Sequence, residues 1–300
     1  MREGVVKRLI PAVLFLLALE GVPAAGDAQA PARPKSIPIP DSISTYAWLP
    51  DSARIETLAA RFPVPEGYRR VPVEKGSFAD WLRNLPMKPS GSPVRSYAGD
   101  VVLETGDPNL AGVVDLDLLG SDLQQCADAI IRLRAEYLWS KGEQNGIVFH
   151  FTNGDPSSWT GWAQGRRPLV DGNSVRWIKT ASPDNSRASF VHYLTTLFHY
   201  AGTLSLPYDS TEVPIDRILP GDFFVDGGRP GHAVLVLDVA TSAEGRRRLL
   251  IGQSFMPAQD FHVLRARTAG GWFDADPARP GLDTPGWKTF PWSSLRRFKE

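Results

Sequence analysis

One cysteine in 300 residues excludes an internal disulfide, a common staple of proteins that fold in oxidising compartments. The chain also has no excess of either charge, with 33 Lys plus Arg against 33 Asp plus Glu. That balance leaves no electrostatic footprint for nucleic acid or for an anionic membrane surface. There is no phosphate loop, no dinucleotide fingerprint and no His/Asp/Glu cluster with zinc spacing. No cofactor and no metal are therefore expected. Beyond residue 19 no apolar run is long enough to cross a bilayer, and there is no internal repeat.

What is present begins at the N-terminus. Arg2, Lys7 and Arg8 precede an apolar stretch from Leu9 to Leu19, the length of a secretory signal's hydrophobic region. Ala28-Gln29-Ala30 fits a small-residue cleavage site, so residues 1–30 read as a signal peptide cut after Ala30. An uncleaved anchor is the competing reading; Glu20 and Pro23, which close the apolar run, argue against it. No cysteine follows that run to accept a lipid. The expected product is exported, periplasmic or extracellular, with no stable membrane insertion. Residues 31–45 read as a Pro-rich linker and 46–300 as a single globular domain. Hydrophobic residues make up 42% of the chain, enough for a full core.

Residues 77–83 predict a short helix capped by Ser77, with Phe78, Trp81 and Leu82 on one face. Strands are expected over 96–103 and 111–118. The strongest helical pattern runs from Asp122 to Trp139. Ser121 and Gln124 read as its capping box, and Leu123, Cys126, Ile130, Leu133 and Tyr137 as its buried stripe. A second helix is expected from Arg187 to Ala201, and strands with long loops over 150–178. Further on, 222–225, 232–239 and 247–253 read as strands, the last two as a hairpin. Helix first and antiparallel strands after is an α+β order.

Two residues could begin a nucleophilic site. Cys126 sits near a helix start, where the macrodipole favours a thiolate. His232 opens a strand directly after the turn 228–231, a suitable place for a base. In the simplest hairpin register His232 lies opposite Gln253, which could orient the imidazole. Asp260 and His262 compete for that third role, whereas Asp238 is about 20 Å along the same strand. The bland reading of Cys126 is a small buried hydrophobe, since it falls on the apolar stripe.

The stretches Leu219-Pro220-Gly221-Asp222-Phe223-Phe224 and Gly231-His232-Ala233-Val234-Leu235-Val236 resemble the strand–turn–strand of papain-like cell-wall peptidases of the NlpC and CHAP types. The resemblance covers roughly 120–260. It implies a papain-like core over about 115–265, a nucleophile-bearing helix packed on an antiparallel sheet, with an N-terminal extension. It also implies roles for Cys126 as nucleophile, His232 as base and Gln253 as orienter. Gln125 or Gln124 would then donate to the oxyanion. A broader likeness, carried by 77–86, 122–128, 132–137 and 253–259, is to the exported bacterial family of domain of unknown function 4846.

Two functional expectations follow. One is an exported cysteine hydrolase of amide bonds, with cell-wall peptides as the substrate class. The other is a non-catalytic module that grips an envelope glycan or peptide, with Trp159, Trp162, Trp177 and His262 as the candidate binding residues.

Overall fold

A computed structural model describes residues 46–49, 56–267 and 269–300; the expected signal and linker lie outside them. The described residues belong to one compact unit. Five helices are named here: α1 (Leu58–Arg61), α2 (Phe78–Arg83), α3 (Cys126–Ser140), α4 (Trp159–Ala163) and α5 (Arg187–Tyr200). Nine strands join in one sheet: β1 (Tyr68–Arg70), β2 (Leu110–Val113), β3 (Ser210–Glu212), β4 (Phe223–Asp226), β5 (His232–Ser242), β6 (Arg247–Gln253), β7 (His262–Leu264), β8 (Phe273–Ala275) and β9 (Leu295–Phe298). The order is β2-β7-β6-β5-β4-β9-β3, with β1 paired to β5 and β8 to β6. Every pairing is antiparallel.

This architecture corrects the expectation of a papain-like α+β core. The dominant element is a nine-stranded antiparallel sheet, and only α3 and α5 exceed six residues. The sheet recruits β1 near residue 68 and β9 near residue 298, far outside the 115–265 segment expected to fold as a core. Local patterns read the central hairpin but not the short strands that close the sheet at both sequence ends. Each of these has at most four residues, too few to show a period.

The sheet separates two apolar clusters. Ala233, Leu235 and Leu237 project to the face covered by α2 and α3, in a cluster that also takes in Trp81, Ile130, Trp159 and Phe190. Val234 and Val236 project to the other face, with Phe224, Phe290 and Leu295. The register of β5 with β6 shifts between Val236 and Asp238, a bulge, so beyond it Val239 faces the second cluster and Ala240 the first.

α3 starts later than its sequence pattern suggests, at Cys126 instead of Asp122. Gln125 is the N-cap, and its N–H donates to the Asp128 carboxylate at 3.1 Å. Gln124 does not cap because the buried Arg132 guanidinium takes its side-chain oxygen. Arg132 also holds Asp117 and Glu136, which pins the loop before the helix onto the helix itself. The expected single buried stripe is also too narrow. Every residue of α3 except Arg134 and Ser140 is buried, so the helix is wrapped on all sides. α5 matches its pattern, with Phe190, Tyr193, Leu194, Leu197 and Phe198 buried and Ser186 capping Ser189 N–H at 3.2 Å. Within 150–178, α4 interrupts the expected strands and loops.

Candidate active site

The loop before α3 is tied to the ends of β6 and β7. Ala258 N–H donates to Asp122 Oδ1 at 2.7 Å, and the Ser254 hydroxyl lies 3.2 Å from the Gln124 carbonyl. These contacts bring the first residue of α3, Cys126, to the open end of β5. Starting the helix at Cys126 puts the thiol in the first turn, where unpaired N–H groups and the dipole act most strongly. The backbone N–H groups of Ala233, Ala127 and Cys126 itself lie close enough to the sulfur to favour its thiolate. The thiol therefore meets the strand one residue from His232.

Cys126 is nearly covered, with 6% of its surface exposed. Burial pushes its thiol up to about 11; the Ala233 N–H pulls against that, and Asp128 adds to it. Asp128 is itself buried, and desolvation raises its carboxyl to about 8. No hydrogen bond joins the thiol to the His232 ring among the described residues. Face alternation gives the reason: His232 shares its side of β5 with Val234 and Val236, while α3 packs against the side of Ala233 and Leu235.

Gly231 sets the entry to His232. A Cβ there would lie 2.2 Å from Thr203 Oγ1 and 2.8 Å from the Asp226 carbonyl, so only glycine fits. The His232 ring then sits among Phe255, Trp287 and Phe290, at centroid distances of 4.7, 5.0 and 6.0 Å. That apolar wall pushes the imidazole down to about 4, opposed by its bond to Gln253. His232 Nε2 donates to Gln253 Oε1 at 2.8 Å. The sequence-level guess of a directly opposed pair is off by one diagonal. Leu235 faces Gly252, so Gln253 comes opposite Val234 and reaches His232 as a diagonal neighbour on the same face.

On the far side of Gln253 stands His262, directly opposite in the β6–β7 register and fully buried. Gln253 Nε2 and His262 Nε2 are 3.5 Å apart, and His262 Nδ1 is 3.0 Å from the Asp260 carbonyl. On β4, Asp226 is the register partner of His232. It accepts from Trp287 Nε1 at 3.1 Å and pairs with Lys288 at 2.8 Å. One sheet face thus carries Asp226, His232, Gln253 and His262 across four neighbouring strands.

The other expected residues lie elsewhere. The Gln124 side chain is bound by Arg132 and by the Asp117 carbonyl, so it is not free to stabilise an oxyanion. Gln125 donates its side-chain amide to Asp122 at 3.3 Å. Trp159 is fully buried against Trp139, Phe190 and Tyr193, and Trp162 is buried under the Arg167 guanidinium at 3.8 Å. Trp177 stacks on Phe151 at 5.8 Å, apart from the other two. These rings form no shared exposed platform. Asp238 pairs with Arg70 and Arg83, at 2.6 and 2.7 Å. Among the described residues no group of three or more His, Cys, Asp or Glu is placed to hold a metal. None of the described helices is long and apolar enough to cross a membrane.

The chain belongs to the family of domain of unknown function (4846). Its family model matches residues 58–297, which takes in all of the sheet and the candidate site except Phe298, the last residue of β9. No curated protein and no solved structure matches the chain. Within this family member the parts that sequence reasoning missed are Trp287, Phe255 and Asp226. The two aromatics reach His232 from the loops at 254–259 and 283–289, which carry no periodic signal. Asp226 had a readable cue, the polar residue closing the apolar run 223–225 just before a turn. A cavity of about 890 Å³ lies over the second half of α3 and is walled by Arg134, Tyr137, His150 and Phe298; Cys126 is not in its wall.

Proposed function

We propose that this chain is an exported cysteine hydrolase of amide bonds, with peptides of the cell envelope as its substrate class. The observation that carries the reading is the meeting of Cys126, first residue of α3, with the Ala233 N–H, next to a His232 held by Gln253. The export half rests on the N-terminal sequence from Arg2 to Ala30.

The resting pair is neutral in this reading. Burial opposes both the thiolate and the imidazolium, so the ion pair is not stored in the free protein. Proton transfer accompanies attack. The step requires the first residue of β5 to turn toward α3 so that the ring comes within hydrogen-bond reach of the sulfur; His232 Nδ1 then takes the thiol proton while Sγ bonds to the carbonyl carbon. The carbonyl π pair moves to oxygen, and the N–H groups of Cys126 and Ala127 at the helix start supply donors for it. Collapse of that intermediate breaks the C–N bond, and the leaving amine takes the proton from His232. Water then attacks the thioester, giving its proton to His232. The carboxylic acid departs and the proton returns to sulfur, for a balance of amide plus water to acid plus amine.

The test uses a peptidyl vinyl sulfone, which needs both a nucleophile and a proton donor. The expected result is one adduct per chain at Cys126 by peptide mass mapping, formed about 10²-fold or more slowly by His232→Ala. Equal rates in the two proteins, or no adduct at Cys126, would overturn the reading.

A further inference from the structure

We propose that His262 is a positioning residue that sets the tautomer of His232 through the amide of Gln253. The consequence for catalysis rests on the hydrolase reading above; the geometry does not.

The deduction starts from a group with no choice. A backbone carbonyl only accepts, so the 3.0 Å contact between His262 Nδ1 and the Asp260 oxygen requires the proton on Nδ1. His262 is fully buried and burial holds its imidazole below the ordinary range, so the ring is neutral and Nε2 is bare. A bare Nε2 accepts only, and across 3.5 Å it faces the Gln253 amide. The NH₂ end of Gln253 must therefore point to His262, and its oxygen to His232. The reverse rotamer would set two lone pairs against each other at His262, a buried repulsion with no water to relieve it. Gln253 Oε1 then demands a proton on His232 Nε2, 2.8 Å away. The remaining nitrogen of His232, Nδ1, is left bare and able to accept the thiol proton. An asymmetric neutral amide has passed a choice of tautomer from β7 to β5.

The anchor of this chain is itself fixed. The Asp260 carboxylate is held by Lys88 at 2.8 Å and by the Arg95 N–H at 3.0 Å, and the Asp260 N–H donates to the Arg95 carbonyl at 2.8 Å. The carbonyl that reads His262 Nδ1 thus stands on a braced residue. The groups facing His232 from other elements are Asp226 on β4, Gln253 on β6, and Phe255, Trp287 and Phe290 from the loops. Asp226 is already occupied by Lys288 and Trp287, which leaves Gln253 as the hydrogen-bond partner of the ring.

The experiment is long-range ¹H–¹⁵N correlation spectroscopy on the full chain with ¹⁵N-labelled histidine, assigned by single histidine substitutions. The expected spectrum shows His262 as the Nδ1–H form and His232 as the Nε2–H form near neutral pH. His262 protonated at Nε2, or His232 protonated at Nδ1, would overturn the proposal. In His262→Leu the amide loses its acceptor, and His232 should become a mixture of tautomers. A pure Nε2–H signal there would likewise overturn it. If that variant does not fold, the native tautomers decide alone. In hydrolysis His262→Leu should lower kcat about tenfold with little change in KM. A native protein that hydrolyses no amide would defeat the hydrolase reading while leaving the tautomer result standing. An active protein with the wrong tautomer defeats only this inference.

Discussion

The two halves of β5 each bury a polar side chain, and they do it in opposite ways. Asp238, past the bulge, is a fully buried carboxylate closed on every side. Arg70 reaches it from β1 and Arg83 from α2, and its own Oδ1 also accepts from the Val239 N–H at 2.8 Å. His232, at the first residue, is buried too, but its partners are neutral and its chain of hydrogen bonds leaves one ring nitrogen unspent. A saturated buried charge is a rivet: it fastens two elements to the sheet and has nothing left to offer. A neutral buried ring with a free nitrogen contributes less to stability and keeps a group available for chemistry. Burial by itself does not distinguish the two; the count of unspent donors and acceptors does.

The largest effect expected from breaking that contrast is at the rivet. Asp238→Asn leaves two partly buried guanidinium groups without a counter-charge and should cost about 3 kcal/mol or more in chemical denaturation. The vinyl sulfone rate of the folded fraction should stay unchanged. A loss of stability under about 1 kcal/mol would show that the two arginines find water or other partners.

A smaller effect is expected at the other end. Gln253→Leu leaves the His232 Nε2–H without an acceptor, at about 1–3 kcal/mol, and should slow capture of Cys126 by about tenfold or more. Here the rate should suffer more than the stability, the reverse of Asp238→Asn. If both substitutions move stability alone, the His232 end is a second rivet.

The effect with the narrowest range is a dependence on pH. His232 is held at about 4 in the folded chain, below the ordinary 6.5, so between those values the unfolded chain binds the extra proton. Its neutral burial therefore contributes fully above about pH 6.5 and is lost as pH falls through about 4. Asp128 has the opposite sign. With its folded carboxyl at about 8 against an ordinary 3.8, its contribution is present at low pH and fades as pH rises from about 3.8 to 8. The two slopes oppose each other between about pH 4 and 6.5. The stability difference between native protein and His232→Phe should therefore grow with pH across that window, read by denaturation at matched ionic strength. A difference independent of pH would mean that His232 titrates normally.

The legible part of the molecule was the long part. α5 and the β5–β6 hairpin carry enough residues to display a period, and both were read from the sequence with nearly the right limits. The start of α3 was misread because Ser121 and Gln124 imitate a capping box, whereas Arg132, buried eight residues beyond Gln124, claims that glutamine. No local pattern announces such a competition. The nine-stranded sheet was hidden for a related reason: β1, β8 and β9 are three- and four-residue strands whose identity comes from the partners they meet. At the site, Cys126, His232 and Gln253 were chosen on residue type and position in their elements. The aromatic wall of Phe255 and Trp287 comes from loops, where sequence carries the least information about place. The tryptophans between 159 and 177 show the converse, since their number suggested a binding surface and two of the three are core.

The central claim is that amide cleavage passes through a bond to the Cys126 sulfur. Its most direct test is intact mass after brief mixing with an envelope-derived peptide and acid quenching. The account predicts a transient increment equal to the acyl half of the peptide, localised to Cys126, together with free amine product. Cys126→Ala should give neither. Amine release by Cys126→Ala at the native rate, or turnover by the native protein with hydrolysis assigned to another residue, would contradict the account.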